Sequence, residues 1–247
     1  MKKVRRVCLA FTLLSFIGPV LVALSGTIKF NEDWRTADRS SSGIAPLAHE
    51  ETDAIVQVYS ARAFNWRGLF GIHTWIAMKE KNADKYMVHQ VLGWRSWNDL
   101  PVLVSEQDTP DRRWYGYDPE VLVDIRGLKA EKAIKDINVA IVNYKYQRSY
   151  TMWPGPNSNS FIAEIGRRVA ALKLDLPATA IGKDFLVQGK FFDKTPSASG
   201  YQFSLYGLFG VGLGKIEGLE FNFLGLSFGI NPGRFTLKLP GLGKISL

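Results

Sequence analysis

One cysteine, three histidines and an N-terminal stretch with no acid narrow the chemistry before any motif is read. The cysteine is Cys8, inside an apolar run, so the rest of the chain has no disulfide, no thiolate metal site and no thiol nucleophile. The histidines, His49, His73 and His89, form no HExxH or comparable pair, which excludes a typical zinc hydrolase. We therefore expect neither a metal nor a cofactor. The "GVGLG" near the C-terminus lacks the spacing and the following helix of a dinucleotide site.

Residues 1–25 hold no acid, while Lys2, Lys3, Arg5 and Arg6 supply four positive charges. Of the net +8 this leaves +4, spread through mixed-sign surface, so the sequence predicts no nucleic-acid partner. The uncharged run "VCLAFTLLSFIGPVLVALSG" follows, from Val7 to Gly26. A basic flank before such a run reads as an export signal or an inner-membrane anchor over 1–26. Ala23-Leu24-Ser25 suits cleavage, and about 20 apolar residues suit spanning. Both alternatives place the body of the protein in the periplasm, held at the membrane if the helix is uncleaved.

Residues 27–53 are polar and serine-rich around "RTADRSSSG" and read as a linker. "AIVQVYSARA" (54–63) alternates like a strand, and "GIHTWIAMK" (71–79) with "YMVHQVLGW" (86–94) reads as an antiparallel hairpin. The stretch 99–119, containing "DRRWYGY", reads as a packed surface loop. Ala130, Ile134, Ile137, Ile141 and Tyr144 give one apolar helical face; Phe161, Ile162, Ile165, Val169 and Leu172 give a second. Arg167 and Arg168 fall late in that second helix, where its dipole favours cations. From Gly200 onward there are 11 glycines and eight Phe or Tyr, which reads as strands joined by tight turns. If this tail packs on the main domain, Phe209, Phe221 and Phe223 become buried; otherwise it offers an apolar patch to a membrane or partner.

"WPGPNSNSF" (153–161) bends the chain and opens the second helix. Any of Asn157, Ser158, Asn159 or Ser160 can cap it, contributing about 1 kcal/mol. The same free N–H groups make an anion or oxyanion site, to which Asn157 could add. There Ser158 would be a nucleophile needing a base, and His73, mid-strand beside Trp75, is the candidate. A third member is open between His89 and the Lys183-Asp184 pair in "TAIGKDF", which also reads as a turn. Whether His89 faces His73 depends on a one-residue register.

A strand histidine, further strand, and then an Asn-nucleophile-x-x-Phe motif opening a helix resembles the circularly permuted papain-like proteins, such as the lecithin–retinol acyltransferase-like group. There the nucleophile is cysteine in an Asn-Cys motif; here the matching position is Ser158. A broader resemblance rests on "WRTADRSS", "VYSARAFNWRGLFGIHTWIA", "GWR", "DRRWYGYDPEVLVDIRG", "WPGPNSNSF", "LDLPATAIGKDF" and "LKLPGLGKISL". These are similar to the bacterial domain of unknown function 3750 family, which implies an exported or membrane-anchored protein of no established activity.

The sequence thus predicts an α+β domain over 54–190, in which the resemblance implies a permuted papain-like antiparallel sheet with helices. A Gly- and aromatic-rich β tail over 191–247 follows. Two functional classes stand. One is an envelope hydrolase or acyltransferase using Ser158 and His73; the other, favoured by the missing cysteine, is a non-catalytic envelope module that binds a ligand or protein partner or survives only as a structural scaffold.

Overall fold

The structure is a computed structural model that describes residues 2–246, with the side chains of 2–4 and 7–10 outside the description. Cys8 falls among those side chains. Short alternating segments build a first antiparallel sheet from β1 (Ile55–Arg62), β2 (Ile72–Lys79), β3 (Met87–Val91), β4 (Leu103–Gln107) and β5 (Glu120–Arg126). Its order is β4-β3-β2-β1-β5. The expected hairpin is β2–β3, with Trp75 opposite Gln90 and Ile76 opposite His89. Strand β4 lies within the stretch read as loop. It has five residues between Pro101 and the "DTPD" turn, and three of them are exposed, so alternation is too brief to register.

The two faces of this sheet are covered differently. On one lie helices α2 (Leu128–Val142) and α3 (Ser158–Arg168). Val56, Val58, Ile76 and Met78 meet Ile134, Ile137, Phe161, Ile162 and Ile165 there in one buried cluster. Each such side chain contributes about 1.5–3 kcal/mol on full burial. On the other face Ile55, Tyr59, Trp75, Ala77 and Val88 pack with Ile28 and Tyr117. Part of the 27–53 segment therefore lies against the domain. Its Ser41 hydroxyl and the Ile44 and Ala45 amides donate to Asp111 at 2.7, 2.8 and 3.1 Å.

The tail forms strands joined by tight turns, as the glycines predict. They are β6 (Phe192–Lys194), β7 (Gly200–Leu205), β8 (Phe209–Gly214), β9 (Gly218–Phe223), β10 (Leu226–Asn231), β11 (Thr236–Leu239) and β12 (Gly243–Ser246), in one antiparallel sheet in chain order. The architecture is thus mixed α+β with two antiparallel sheets. The expected burial of the tail aromatics is overturned: Phe209, Phe221 and Phe223 are 39%, 53% and 41% exposed. The inward positions carry Gln202, Ser204, Glu220, Asn222, Ser227 and Lys238 instead.

The reason is the surface they cover, which is itself charged. Arg167, placed in the last turn of α3 as a dipole cation, is almost fully buried and donates to the Lys183 and Lys194 carbonyls and to Gln202 Oε1. Lys183 pairs with Glu220, and Lys238 pairs with both Glu220 and Asp175. Burial would lower the Lys183 ammonium, but Asp184 and Glu220 raise it above its ordinary value, so it stays charged. Asp184 accepts from Asn222 and Ser227 at 3.0 and 2.9 Å. Buried charge of this kind is tolerated only when paired.

Helix α1 (Lys2–Leu24) touches this assembly through Phe11, Gly18 and Val22 among its described residues. Val22 is buried, and a Cβ at Gly18 would come within 2.0 Å of the Pro240 carbonyl. Among the described residues no helix is long and apolar enough to cross a membrane, so the reading of 7–26 as a spanning anchor is not supported.

Candidate functional site

The quoted turn delivers a helix cap of a definite kind. Asn157 is the N-cap: its Oδ1 accepts from the Ser160 amide at 3.0 Å, and the Ser160 hydroxyl accepts from the Asn157 amide at 2.7 Å. The Asn157 Nδ2 donates to the Met152 and Ile181 carbonyls at 3.0 and 3.1 Å. A Cβ at Gly182, whose φ is +97°, would strike that amide group at 2.3 Å, so glycine is required there. With both amide atoms engaged, Asn157 acts as a cap that ties α3 to the 181–182 turn.

Ser158 is the first residue of α3 and is buried at 6% exposure, and among the described residues no side chain accepts from or donates to its hydroxyl. The strand residue that faces it is Thr74. The Thr74 hydroxyl contacts the Ser158 carbonyl at 3.3 Å and Asn159 Oδ1 at 3.0 Å. Successive strand side chains point to opposite faces, so His73 lies on the far side of the sheet from Ser158. The structure does not bring the two together.

On that far side His73 sits in an aromatic stack. Its ring is 3.6 Å from that of Trp114, at 11°, and 5.7 Å from that of Trp75. Trp75 in turn stacks on Tyr59 at 5.6 Å. His73 Nε2 donates to Gln90 Oε1 at 3.2 Å. Burial pushes the imidazole down to about 3, more than the Gln90 bond restores, so it is neutral. His89, opposite Ile76, is on the helix face and bonds Ser105 Oγ at 2.7 Å, while its Nε2 is buried without a partner. Burial lowers it to about 4. The register thus separates the two histidines, and Gln90, opposite Trp75, is the β3 side chain that reaches His73. Lys183 and Asp184 belong to the charged layer beneath the tail.

Above the His73 stack lies a cavity of ≈ 110 Å³. Trp75, Trp94, Trp114 and Tyr115 wall it with Val88, Gln90 and Leu92, and Arg39, Arg112, Arg113, Glu106 and Asp108 rim it. Arg39 lies 4.4 Å over the Tyr115 ring. Arg112 pairs with Asp108, but its Nε is buried with no partner. Arg113 is fixed by Asp118 at 2.8 Å and by the Ser40 hydroxyl at 2.9 Å.

Residues 53–185 match the model of the family described as a protein of unknown function, DUF3750. The chain belongs to this family. No curated protein and no solved structure matches it. The match runs from just before β1 to Phe185, so it includes His73, the α3 tip and the cavity apart from Arg39, while the seven-stranded sheet lies beyond it.

In this DUF3750 chain the sequence pointed to one wall of the cavity without identifying it. The arginines and aromatics of "DRRWYGY", read as a packed surface loop, supply Arg112, Arg113, Trp114 and Tyr115 to its lining. Gln90 and Trp94 gave no signal, because only the β2–β3 register places them opposite Trp75 and beneath the loop. Among the described residues no group of acids, histidines or cysteines could hold a metal ion.

Proposed function

We propose that this DUF3750 member is a non-catalytic binding module of the bacterial cell envelope, with the tryptophan-walled cavity as its ligand site. The observation that carries the reading is the sheet between His73 and Ser158. The serine faces Thr74, which cannot serve as a base at neutral pH, and its helix tip is occupied by an ordinary capping box. The placement of α3 against β2, with its tip motif after the sheet in sequence, supports a permuted papain-like framework from which the catalytic pair is missing.

The cavity itself favours one ring-sized group. Apolar cavities of about 150 Å³ admit benzene, and this smaller one opens at the rim. Indole faces take a sugar or aromatic ring by stacking. The rim guanidiniums of Arg39, Arg112 and Arg113 favour acceptor oxygens on that ring. A hydroxylated or acidic sugar of the envelope glycans has both features.

The test is a titration of intrinsic tryptophan fluorescence with muropeptides and acidic sugars. Saturable change in the wild type that disappears in Trp94→Ala is expected. Absence of any response across these ligands would sink the glycan reading. Labelling of Ser158 by a fluorophosphonate probe, lost in Ser158→Ala, would sink the non-catalytic one.

A further inference from the structure

We infer that the outer face of the seven-stranded sheet is a docking surface for an anionic phospholipid bilayer. Alternation along each strand sends one set of side chains inward and the other outward. The inward set is polar and paired, as described above. The outward set is apolar from edge to edge. One cross-strand row runs Phe192, Phe203, Val211, Phe221, Phe228. The next runs Lys194, Tyr201, Leu213, Leu219, Ile230, Leu237, Ile245. Phe203 is 47% exposed and Leu213 66%. Seven strands at a spacing of roughly 4.8 Å make this face about 29 Å wide, well beyond an ordinary surface patch.

Three observations select a lipid surface as the occupant. First, a protein interface of this size carries about one hydrogen bond per 100–200 Å². In these two rows only Tyr201 and the edge residue Lys194 offer a polar side-chain group, and hydrocarbon requires none. Second, the charges around the face have one sign. From Gly200 onward both acids, Glu217 and Glu220, are buried, whereas Lys215 and Arg234 are exposed. Third, α1 joins the same surface. Phe11 meets Phe223 and Phe228 edge-on or tilted at 4.7 and 5.3 Å. Leu13, Ile17, Val20 and Leu21 remain exposed beyond it, and Arg5 and Arg6 are exposed at the basic end. Apolar area with cationic flanks is what drives binding to anionic interfaces.

The experiment is flotation of the full chain with phosphatidylcholine vesicles prepared with and without phosphatidylglycerol. Wild type is expected to float with the anionic vesicles, and raised salt is expected to weaken this. The triple variant Tyr201→Thr, Phe203→Thr, Phe221→Thr should keep its circular dichroism and lose about tenfold or more in partitioning. The variant Leu13→Ser, Ile17→Ser, Leu21→Ser should retain binding through the sheet. In Phe203→Trp, brominated acyl chains should quench the added indole, which reads insertion without relying on a loss of function. Failure of the wild type to float, unchanged partitioning of the triple variant, or no added quenching in Phe203→Trp would overturn the proposal. So would light scattering that finds a stable dimer dispersed by the triple variant, since the face would then belong to a second copy.

Discussion

The Thr74 hydroxyl lies 3.3 Å from the Ser158 carbonyl oxygen, and the imidazole of the preceding residue is on the opposite side of the sheet. One position along a strand therefore decides whether the α3 tip has a base. It has a threonine.

Replacing His73 should be a structural lesion. Its ring stacks on Trp114 and lies beside Trp75, so His73→Ala is expected to cost about 2–4 kcal/mol, as for other large core truncations. Ser158→Ala removes a hydroxyl that bonds no other side chain among the described residues and should stay within about 0.5 kcal/mol of wild type. Urea unfolding of the two variants checks the contrast, and equal effects would contradict it.

Asn157→Ala should remove more than a cap. The cap alone is worth about 0.5–2 kcal/mol, and the bonds to Met152 and Ile181 go with it. A loss of about 2–3 kcal/mol is expected from the cap and the two freed carbonyls. Asn157→Asp keeps the cap oxygen but not the Nδ2 donor, and should recover part of it. No recovery would mean that the donor side dominates.

Glu220→Gln should be among the most damaging substitutions in the chain. It leaves Lys183 and Lys238 buried with their shared carboxylate gone. Breaking a buried pair from one side costs about 3–5 kcal/mol. Thermal denaturation should show a large drop, and limited proteolysis should cut first in the second sheet. A melting point within a degree or so of wild type would exclude this account of how the sheets dock.

Acid should destabilise the protein before its carboxylates protonate. Burial sets His73 at about 3 and His89 at about 4, against about 6.5 in the unfolded chain. The folded values are the lower ones, so between them the unfolded chain binds more protons and stability rises with pH. The contribution is complete above about pH 6.5 and declines as pH falls towards 4 and then 3. Each histidine adds a slope of up to about 1.4 kcal/mol per pH unit. Asp175, held below its usual range by Lys238 and Lys244 against the effect of burial, adds a further loss at lower pH. Unfolding free energies measured from neutral pH to about pH 5 test this. His89→Asn should flatten the profile, and an unchanged slope would refute the assignment.

Periodicity was enough to locate β1, the β2–β3 hairpin, α2 and α3, because each carries its apolar repeat within a dozen or so residues. The cap at Asn157 was legible for the same reason, since all its partners in the capping box lie within three positions. Strand β4 escaped because half of it faces solvent. The Gly-rich tail was readable as strands and turns, since glycine placement is a local requirement of the backbone.

What the sequence determined by itself, then, was secondary structure and the list of residues with chemical potential. Tertiary structure decided which of them meet. The β2–β3 register put Gln90 rather than His89 against His73, and strand alternation put Thr74 rather than His73 against Ser158. The sequence alone left both open, because a shift of one residue exchanges the two faces of a strand. The orientation of the tail was decided in the same way. Its strands alternate polar and apolar, and either face satisfies the pattern. Arg167, Lys183 and Asp175, brought together from beyond the tail, required Glu220, Lys238 and Gln202 as partners and turned the phenylalanines outward. Leaving those charges against an apolar face would have cost more than exposing the rings, because an unpaired buried ion loses its hydration with nothing in return.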